Sequence, residues 1–479
     1  MTVKDANFIA GEWSPAASGA TYGKTNPYRP SEIVGTFPLS DGRDIDAAVS
    51  AATEAFPSWA RLTGQQRGAI LFRAAEIVST RIDAIAMDMT KEMGKPLRES
   101  RIEVARGVDT LRFYAGEGWR PQGETFSQTA TNNPIRVMYR PVGVVGLITP
   151  WNFPFSIPLW KSAPALAYGN SVVLKVAHEA PRTGLHLAAC LEEAGLPPGV
   201  FNVVVGRGPD AGQPLVTHPD VRALSFTGSV SVGQRVRNEA VPLGKRVQLE
   251  LGGHSPLVVM ADSDLGRASD AAFAGAYWAA GQKCTATRRI YVQDDAYDEF
   301  ESLFVARISS ARVGDPSDPA TEVGPVVSSS QLDMLLAAVD RGKSEGGTLL
   351  TGGARQGLDG YVLTPTLFDN VGDTSFLACE EVFGPVASIF RFSDLDEAIV
   401  RANGPEFGLS ASIFTKDLGA AHQFASEIEA GIIRINAATA GGEPHVPFGG
   451  IKGSGYGPRE QGRAARDFFT ETVTVYENF

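Results

Sequence analysis

The chain contains little cysteine: only three occur among 479 residues, at positions 190, 284 and 379. An odd number of thiols this far apart does not form a disulfide framework. Sparse, unpaired cysteine is typical of proteins that stay in a reducing compartment. We therefore expect a cytoplasmic protein whose thiols are either buried or available for chemistry.

Long apolar runs and an excess of positive charge are also missing. No segment approaches the roughly 18 apolar residues of a membrane-spanning helix, and residues 1–7 lack the apolar stretch of a secretory signal. The formal net charge of −11 argues against nucleic acid or an anionic membrane as partner. The six histidines show no spacing of metal ligands, so no metal site is predicted.

What the chain does have is regular alternation of apolar patterns. Its length predicts two or three domains. Short apolar strands alternate with helices over residues 142–250, and a second such series begins near residue 256. This pattern predicts an α/β fold with a doubly wound parallel sheet, which binds nucleotides at the carboxyl ends of its strands, followed by a second α/β domain.

The first part of the chain reads mainly as helices, with Asp44 and Thr63 as N-cap candidates. Helical apolar spacing covers residues 44–59, 64–94 and 98–117. Two further segments, 134–140 and 468–476, alternate like strands. Because an amphipathic strand at a chain end often completes the sheet of another subunit, these segments predict a homo-oligomer.

The most informative positions are Cys284, in the sequence GQKCTA, and Glu250, in the sequence LELGG. A thiol with its ordinary pKa of about 8.5 is mostly protonated at neutral pH. A carboxylate brought close by the fold can take a proton from the thiol or from an attacking water. The pair therefore indicates covalent acyl chemistry, although a single cysteine taken alone is more often a buried core residue.

Other candidate residues directly follow predicted strands. Asn152, in TPWNFP, can point its amide at a developing oxyanion, and Lys175, in LKVAH, can bind a ribose hydroxyl. Gly228, in FTGSVSVG, lies where a strand is followed by a helix, so the backbone can approach a phosphate closely there. Taken one by one, each has an ordinary explanation as a turn residue or a solvated lysine.

Together these motifs resemble one known family. TPWNFP, LKVA, FTGSVSVG, LELGGHSP, GQKCTA, EEVFGP and PFGGIKGSG follow the order and spacing of the NAD(P)-dependent aldehyde dehydrogenase superfamily, from about residue 7 to the C-terminus. The resemblance implies the aldehyde dehydrogenase fold, with a Rossmann-like cofactor domain, an α/β catalytic domain and a small β oligomerisation element that makes a homodimer or homotetramer. The cofactor domain is predicted over residues 1–122 and 142–250. The catalytic domain is predicted over residues 251–452, and the oligomerisation element over residues 123–141 and 463–479.

The resemblance also implies a reaction, the oxidation of a small-molecule aldehyde to a carboxylic acid. Cys284 would attack the aldehyde to give a thiohemiacetal, whose oxyanion is held by Asn152 and the Cys284 N–H. Loss of hydride to nicotinamide would leave a thioester, which water activated by Glu250 hydrolyses. Members that pass the acyl group to coenzyme A commonly lack this glutamate. Lys161 and Glu460 match positions linked to proton relay, and Arg289 matches a structural arginine.

For the cofactor, the resemblance implies that Lys175 and Glu381 hold the two riboses and that Phe383 packs beside the nicotinamide ribose. NAD-preferring members often carry a glutamate where this chain has His178, three residues after Lys175. A carboxylate there would repel a 2′-phosphate, whereas a histidine would not. We expect NADP+ to be accepted, with a preference for it as a further hypothesis. The full implied set is Thr149, Pro150, Trp151, Lys175, His178, Gly208, Phe226, Gly228, Ser229, Glu381 and Phe383.

The substrate is predicted from segments 157–170 and 443–462, which resemble bacterial 2-oxoglutarate-semialdehyde (2,5-dioxopentanoate) dehydrogenases. Succinate-semialdehyde dehydrogenases often carry arginine where this chain has Trp160, which speaks against that substrate. An aromatic or broad-range aldehyde is the alternative, and a binding or structural homologue without turnover is the alternative of another class. The intact catalytic set argues against the latter. The predicted pocket residues are Phe153, Trp160 and Tyr277, with Phe155 as a further candidate.

Overall fold

The computed structural model describes residues 3–357 and 359–478, so the predicted domain limits at residues 1 and 479 lie outside it. The α-helices are α1 (Gly42–Arg61), α2 (Gly64–Ser79), α3 (Ile82–Met93), α4 (Leu97–Ala115), α5 (Ser156–Ala167), α6 (Pro181–Glu193), α7 (Gln213–Thr217), α8 (Val230–Ala240), α9 (Leu265–Tyr277), α10 (Tyr297–Ser309), α11 (Ser329–Ser344), α12 (Phe376–Cys379), α13 (Leu395–Asn403), α14 (Leu418–Glu427) and α15 (Ala465–Phe469).

The strands are β1 (Asn7–Ile9), β2 (Glu12–Ser14), β3 (Thr21–Thr25), β4 (Ile33–Pro38), β5 (Gly123–Ser127), β6 (Pro134–Pro141), β7 (Val144–Ile148), β8 (Ser171–Val176), β9 (Phe201–Val205), β10 (Ala223–Thr227), β11 (Arg246–Glu250), β12 (Ser255–Val259), β13 (Thr287–Gln293), β14 (Thr348–Thr351), β15 (Thr366–Asp369), β16 (Val386–Phe392), β17 (Phe407–Gly408), β18 (Ser410–Phe414), β19 (Ile432–Ile435), β20 (Ile451–Lys452), β21 (Gly455–Tyr456) and β22 (Thr470–Tyr476).

Helix α1 begins earlier than the sequence pattern predicts. Asp41 is its N-cap, and Asp44 is the third helical residue of a capping box, whose carboxylate accepts the Asp41 N–H at 3.1 Å. The prediction of Asp44 as the N-cap is therefore wrong. Thr63 caps α2 as predicted, and its hydroxyl accepts the Gln66 N–H at 3.2 Å. The single helical stretch predicted over 64–94 is two helices, α2 and α3.

The first large sheet has the order β2-β1-β9-β8-β7-β10-β11-β21. Its five central strands are parallel. Alternate side chains of β7 enter opposite cores: Val145 and Leu147 pack in the core that contains α2 to α6, whereas Val144 and Ile148 pack against α1, α7 and α8. Because both faces are covered, the central strands are almost wholly buried. This arrangement confirms the predicted α/β fold class with its doubly wound sheet.

The second large sheet has the order β14-β15-β16-β13-β12-β18-β19. Adjacent strands in this sheet are parallel, except for the antiparallel pair β14 and β15. Cys284 lies on the first connection from a helix to a strand here, between α9 and β13. The edge strand β19 was not predicted, since its residues are only partly buried.

The two strand-like segments outside these sheets pair with each other. β22 runs antiparallel to β6, which pairs in turn with β5, in a separate three-stranded sheet. Residues more than 300 positions apart, such as Thr470 and Pro141, are direct partners in this sheet. None of the described helices combines the length and apolar character that a bilayer crossing requires.

Candidate active site

The carboxyl ends of β7, β10 and β11 meet at one cavity of about 250 Å³. Such edges are where parallel sheets bind ligands, because strand ends and helix starts converge there. The structure thus brings together eight of the residues singled out in the sequence. They are Pro150, Trp151, Asn152, Gly228, Ser229, Cys284, Glu381 and Phe383.

Several polar groups at this edge have no hydrogen-bond or ion-pair partner among the described residues. They are therefore available to bind a dinucleotide. The hydroxyls of Thr149 and Thr227 are buried and have no hydrogen-bond partner among the described residues. Burial lowers the pKa of Lys175 to about 8, and no carboxylate of the described chain lies within ion-pairing distance of its amine. Ser229 does not cap α8 with its side chain, so the helix N-terminus stays open to an anion. The residues therefore fit NAD(P)+.

Two predicted cofactor residues lie away from the cavity itself. Phe226 is buried in the core, and its ring lies under Gly228, where an added Cβ would come within 2.6 Å of it. Phe226 therefore supports the glycine turn rather than facing a ligand. Gly208 is exposed at the start of the single π-helical turn Gly208–Gly212.

His178 is half exposed beyond the end of β8, and its Nδ1 lies 3.2 Å from a carboxylate oxygen of Glu179. Burial lowers the pKa of His178, and the nearby charges of Lys175 and Arg207 also lower it, whereas Glu179 opposes them. His178 is therefore mostly neutral at neutral pH. Neither Glu179 nor Arg207 was singled out from the sequence.

Glu381 and Phe383 frame the far side of the cavity. Glu381 accepts the Gly253 N–H at 3.0 Å, and an added Cβ on Gly252 would come within 2.3 Å of its other oxygen. Burial raises the pKa of Glu381 to about 7. The Phe383 ring meets Trp151 edge-on, with centroids 5.5 Å apart. The side-chain amide of Gln331 donates to the backbone carbonyl of Phe383 at 2.7 Å. Gln331 is not among the residues predicted from the sequence.

The segment before Cys284 has an unusual backbone. Ala279, Ala280 and Gly281 are left-handed, with φ values of 55°, 51° and 66°. An added Cβ on Gly281 would come within 2.1 Å of the Gly384 carbonyl oxygen, so only glycine fits there. The Ala279 N–H donates to the partly buried Glu99 carboxylate at 3.1 Å, which fixes the start of this turn.

Arg288 fixes the other end of the turn. Its guanidinium donates to the carbonyls of Gly281 and Gly384. Neither Arg288 nor Glu99 belongs to a recognisable motif, so no signal in the sequence marks them. Arg289 donates to the carbonyls of His254 and Ala402, which is a structural role.

The electrostatics around Cys284 favour the neutral thiol. Burial raises its pKa to about 12, and the negative charges of Glu381 and Glu250 add to the shift. A thiol in this state needs a base before it can act as a nucleophile.

Asn152 is held by its own neighbours. Its Nδ2 donates to the Gln282 carbonyl at 3.0 Å, and its Oδ1 accepts the Phe153 N–H at 3.1 Å. The Lys95 amine donates to the backbone carbonyl of Asn152 at 2.7 Å. The amide NH2 therefore points toward the Cys284 turn, and one N–H remains for a ligand.

Glu250 ends β11, and its carboxylate lies beside Gly449, where an added Cβ would come within 2.6 Å of its Oε1. Its Oε2 is buried without a hydrogen-bond partner among the described residues. Burial raises the pKa of Glu250 well above its usual range, and the charge of Glu460 adds to this. Glu460 forms a fully buried ion pair with Lys161, which also donates to Ser225 at 2.7 Å.

A second cavity, of about 270 Å³, meets the first at Cys284 and contains the predicted residues Phe153 and Trp160. The rings of Trp160 and Phe448 lie with centroids 5.3 Å apart, and Trp278 adds a third aromatic wall. The side chains of this cavity leave an apolar channel that leads to the thiol.

Tyr277 and Phe155 do not face this channel, contrary to expectation. Tyr277 is fully buried in the core of the second sheet, where its hydroxyl donates to the Thr366 carbonyl at 3.0 Å. Phe155 is fully buried against Gly107, where an added Cβ would come within 2.6 Å of its ring. Both are close to the site in sequence, but their positions direct their rings into the cores.

Two cavities therefore meet at the Cys284 thiol, with the Asn152 amide and the Glu250 carboxylate nearby. The chain belongs to the aldehyde dehydrogenase family, which it matches over residues 13–475. Among its relatives is alpha-ketoglutaric semialdehyde dehydrogenase of Bacillus subtilis, 45% identical, with 98% of this chain and 97% of that protein covered. Another is alpha-ketoglutarate semialdehyde dehydrogenase of Haloferax volcanii, 41% identical, with 100% of both chains covered.

Solved structures agree with this assignment. An NADP-dependent enzyme of E. coli superposes with a TM-score of 0.97 at 34% identity, covering 100% of this chain and 98% of that chain. Betaine aldehyde dehydrogenase of Staphylococcus aureus in complex with NAD+ superposes with a TM-score of 0.96 at 32% identity, covering 99% and 95%. The similarity to betaine aldehyde dehydrogenase confirms the aldehyde dehydrogenase fold.

Proposed function

We propose that the protein is a non-acylating, NAD(P)+-dependent dehydrogenase that oxidises 2-oxoglutarate semialdehyde to 2-oxoglutarate. The observation that carries the proposal is the position of Cys284, where a dinucleotide-type cavity and a second cavity meet. The names of the Bacillus and Haloferax relatives support this substrate, since both align over nearly the whole chain.

In the proposed first step, the Cys284 thiol loses its proton to Glu250, directly or through one water. Glu250 is suited to this step because its raised pKa makes its ionised form a stronger base than an ordinary carboxylate. The sulfur then adds to the aldehyde carbon, and the carbonyl oxygen becomes an oxyanion. The free N–H of Asn152 and the backbone N–H of Cys284 stabilise this charge.

Bound NAD(P)+ supplies the acceptor for the hydride that leaves the aldehyde carbon. Once Glu250 has released the thiol proton, its carboxylate removes a proton from a water as the water attacks the resulting thioester of Cys284. The C–S bond breaks, the thiol regains a proton, and the acid is released. The buried set Lys161, Glu460 and Ser225 offers a route for the surplus proton away from Glu250.

For the cofactor, we propose that NADP+ is accepted alongside NAD+. The position of His178 carries no carboxylate, and Arg207 contributes a positive charge nearby. Glu179 offsets part of this charge, because it lies against His178. The opposing charges of Arg207 and Glu179 therefore support binding of a 2′-phosphate. They do not support a strong preference for NADP+ over NAD+.

A second candidate substrate is an aromatic aldehyde. It is favoured by the four aromatic side chains that line the second cavity, which are Phe153, Trp160, Trp278 and Phe448. Comparison of kcat/KM for 2-oxoglutarate semialdehyde and benzaldehyde decides between the two, and a higher value for benzaldehyde would reject the first proposal.

We propose further that the protein is a cytoplasmic homodimer or homotetramer. The three-stranded sheet β22-β6-β5 supports assembly, since it stands apart from both large sheets and its outer strands have unpaired edges. The free thiols of Cys190, Cys284 and Cys379 suit a reducing compartment. Analytical ultracentrifugation tests the assembly, and a monomer at micromolar concentration would reject it.

The experiment that tests the activity is a pair of cysteine variants. Cys284→Ala removes the proposed nucleophile, whereas Cys379→Ala removes a partly exposed thiol that lines neither cavity. We expect Cys284→Ala to abolish formation of NAD(P)H, followed at 340 nm, and Cys379→Ala to retain it. Full activity of Cys284→Ala would refute the mechanism, and an inactive wild type with every aldehyde would favour a homologue without turnover.

A further inference from the structure

An unpaired positive charge lies at the opening of the second cavity. Arg106, on α4, lines this cavity together with Cys284 and is exposed to solvent. In residues 3–357 and 359–478, no carboxylate forms an ion pair with Arg106. The thiol therefore lies at the inner end of the channel, and a guanidinium without an ionic partner lies at its outer end.

The other charged residues of the cavity are already compensated. Lys95 forms a buried ion pair with Glu103. Lys283 donates to the Ala274 carbonyl at 2.7 Å, and the charge of Glu99 acts on it. These groups neutralise one another at the buried end of the cavity. They leave Arg106 as the charge that is free to meet a ligand.

A second arginine lies close to the same opening. Arg434, on β19, donates to the carbonyl of Gly441, which lines the cavity. Its Nε is buried and has no hydrogen-bond partner among the described residues. Burial and the like charge of Arg106 both lower the pKa of Arg434, and Glu443 partly opposes this effect.

Two neighbouring guanidinium groups repel each other unless an anion lies between them, and a carboxylate is the anion whose geometry suits arginine best. We propose that Arg106, assisted by Arg434, binds the carboxylate at the far end of the substrate while its aldehyde group lies at Cys284. This inference rests on the proposed function and narrows it: the substrate class is a short aldehyde with a carboxylate at the opposite end. Arg106 is then the residue that selects for that carboxylate.

The test compares two aldehydes of five carbons, 2-oxoglutarate semialdehyde and the uncharged pentanal. Arg106→Met keeps the aliphatic stem and removes the charge. We expect kcat/KM for the anionic aldehyde to fall about 10- to 100-fold, mainly through KM, because a hydrogen-bonded charge is lost. We expect pentanal to be oxidised within about twofold of the wild-type rate, since it makes no charged contact at this end.

Two further variants complete the experiment. Arg106→Lys should restore part of the loss, because a charge is present but not the bidentate geometry. Arg101→Met is the matched control, since Arg101 lies on the same helix and pairs on the surface with Asp83. It should leave both aldehydes unchanged.

The outcomes separate the two proposals. A wild-type enzyme that prefers the anionic aldehyde, together with an Arg106→Met variant that retains this preference, would overturn the role of Arg106 alone. An equal loss for both aldehydes in Arg106→Met would also overturn it. A wild-type enzyme that prefers pentanal would overturn the proposed substrate and the role of Arg106 with it.

Discussion

The side-chain amide of Asn152 donates to the backbone carbonyl of Gln282 at 3.0 Å, two residues before Cys284. This hydrogen bond joins the end of β7 to the turn that carries the thiol. Since the Asn152 oxygen accepts the Phe153 N–H, the orientation of the amide is set before any ligand arrives. The proposed oxyanion donor is thus oriented in advance, which is the condition for efficient stabilisation of a developing charge.

Replacement of Asn152 by alanine should lower kcat about 100- to 1000-fold, because the oxyanion loses one of its two donors. Steady-state kinetics with saturating NADP+ measure the effect. Asn132→Ala, at an exposed position, is the control and should keep wild-type kcat. A loss below tenfold in Asn152→Ala would mean that the amide does not contact the developing charge.

Replacement of Glu250 by glutamine should separate the two halves of the reaction. If the thiol still acylates slowly, a stopped-flow trace should show one equivalent of NAD(P)H followed by a steady phase at least about 100-fold slower, because the base for water is gone. A variant that turns over at the wild-type rate would contradict this role.

The pH profile of the wild-type enzyme provides an independent check on Glu250. Its pKa is raised in the folded protein, so the carboxylate base is scarce at low pH and increases as pH rises. The rate of thioester hydrolysis should therefore rise with pH, and Glu250→Gln should lack this dependence. A wild-type rate that falls over the same pH range would contradict the assignment.

Removal of one partner from the buried pair Lys161–Glu460 should destabilise the fold strongly. Their side chains are 0% and 2% exposed, and an unpaired buried charge costs about 3–5 kcal/mol in free energy of unfolding. Lys161→Met should show this loss in urea unfolding, and the double variant Lys161→Met/Glu460→Leu should recover much of it. The exposed pair Arg101–Asp83 is the control, for which Arg101→Met should cost less than about 1 kcal/mol.

Cofactor choice should respond to the charge near His178. His178→Glu should lower kcat/KM for NADP+ at least about tenfold relative to NAD+, because a second carboxylate beside Glu179 repels the 2′-phosphate. Arg207→Ala should act in the same direction more weakly. A wild-type ratio of NAD+ over NADP+ far above ten would contradict the proposed acceptance of NADP+.

The sequence predicts most elements of the fold because they are strongly apolar and sharply bounded. The predicted alternation of short apolar strands and helices over residues 142–250 matches strands β7 to β11 and helices α5 to α8. The errors come from weaker signals: the break between α2 and α3 contains neither glycine nor proline, and β19 is an edge strand that is only partly buried. Asp41 and Asp44 are both good caps, and only the capping box geometry distinguishes them.

The site is predictable where a motif lies at a strand end, as for Asn152 and Gly228. It is not predictable where the role depends on distant packing. Arg288 and Gln331 act on backbone carbonyls far away in sequence, so no local pattern identifies them. Conversely, the aromatic ring of Tyr277 lies only seven residues before Cys284, yet α9 turns it into the core.

The meeting of two cavities at one sulfur has a practical consequence for inhibition. A compound confined to the first cavity would compete with the nucleotide, and one confined to the second cavity would compete with the aldehyde. A linear molecule that passes Cys284 and occupies both cavities would block both ligands. Its selectivity would come from the second cavity, where an acidic group could bind Arg106. Its affinity would come from contacts in both cavities.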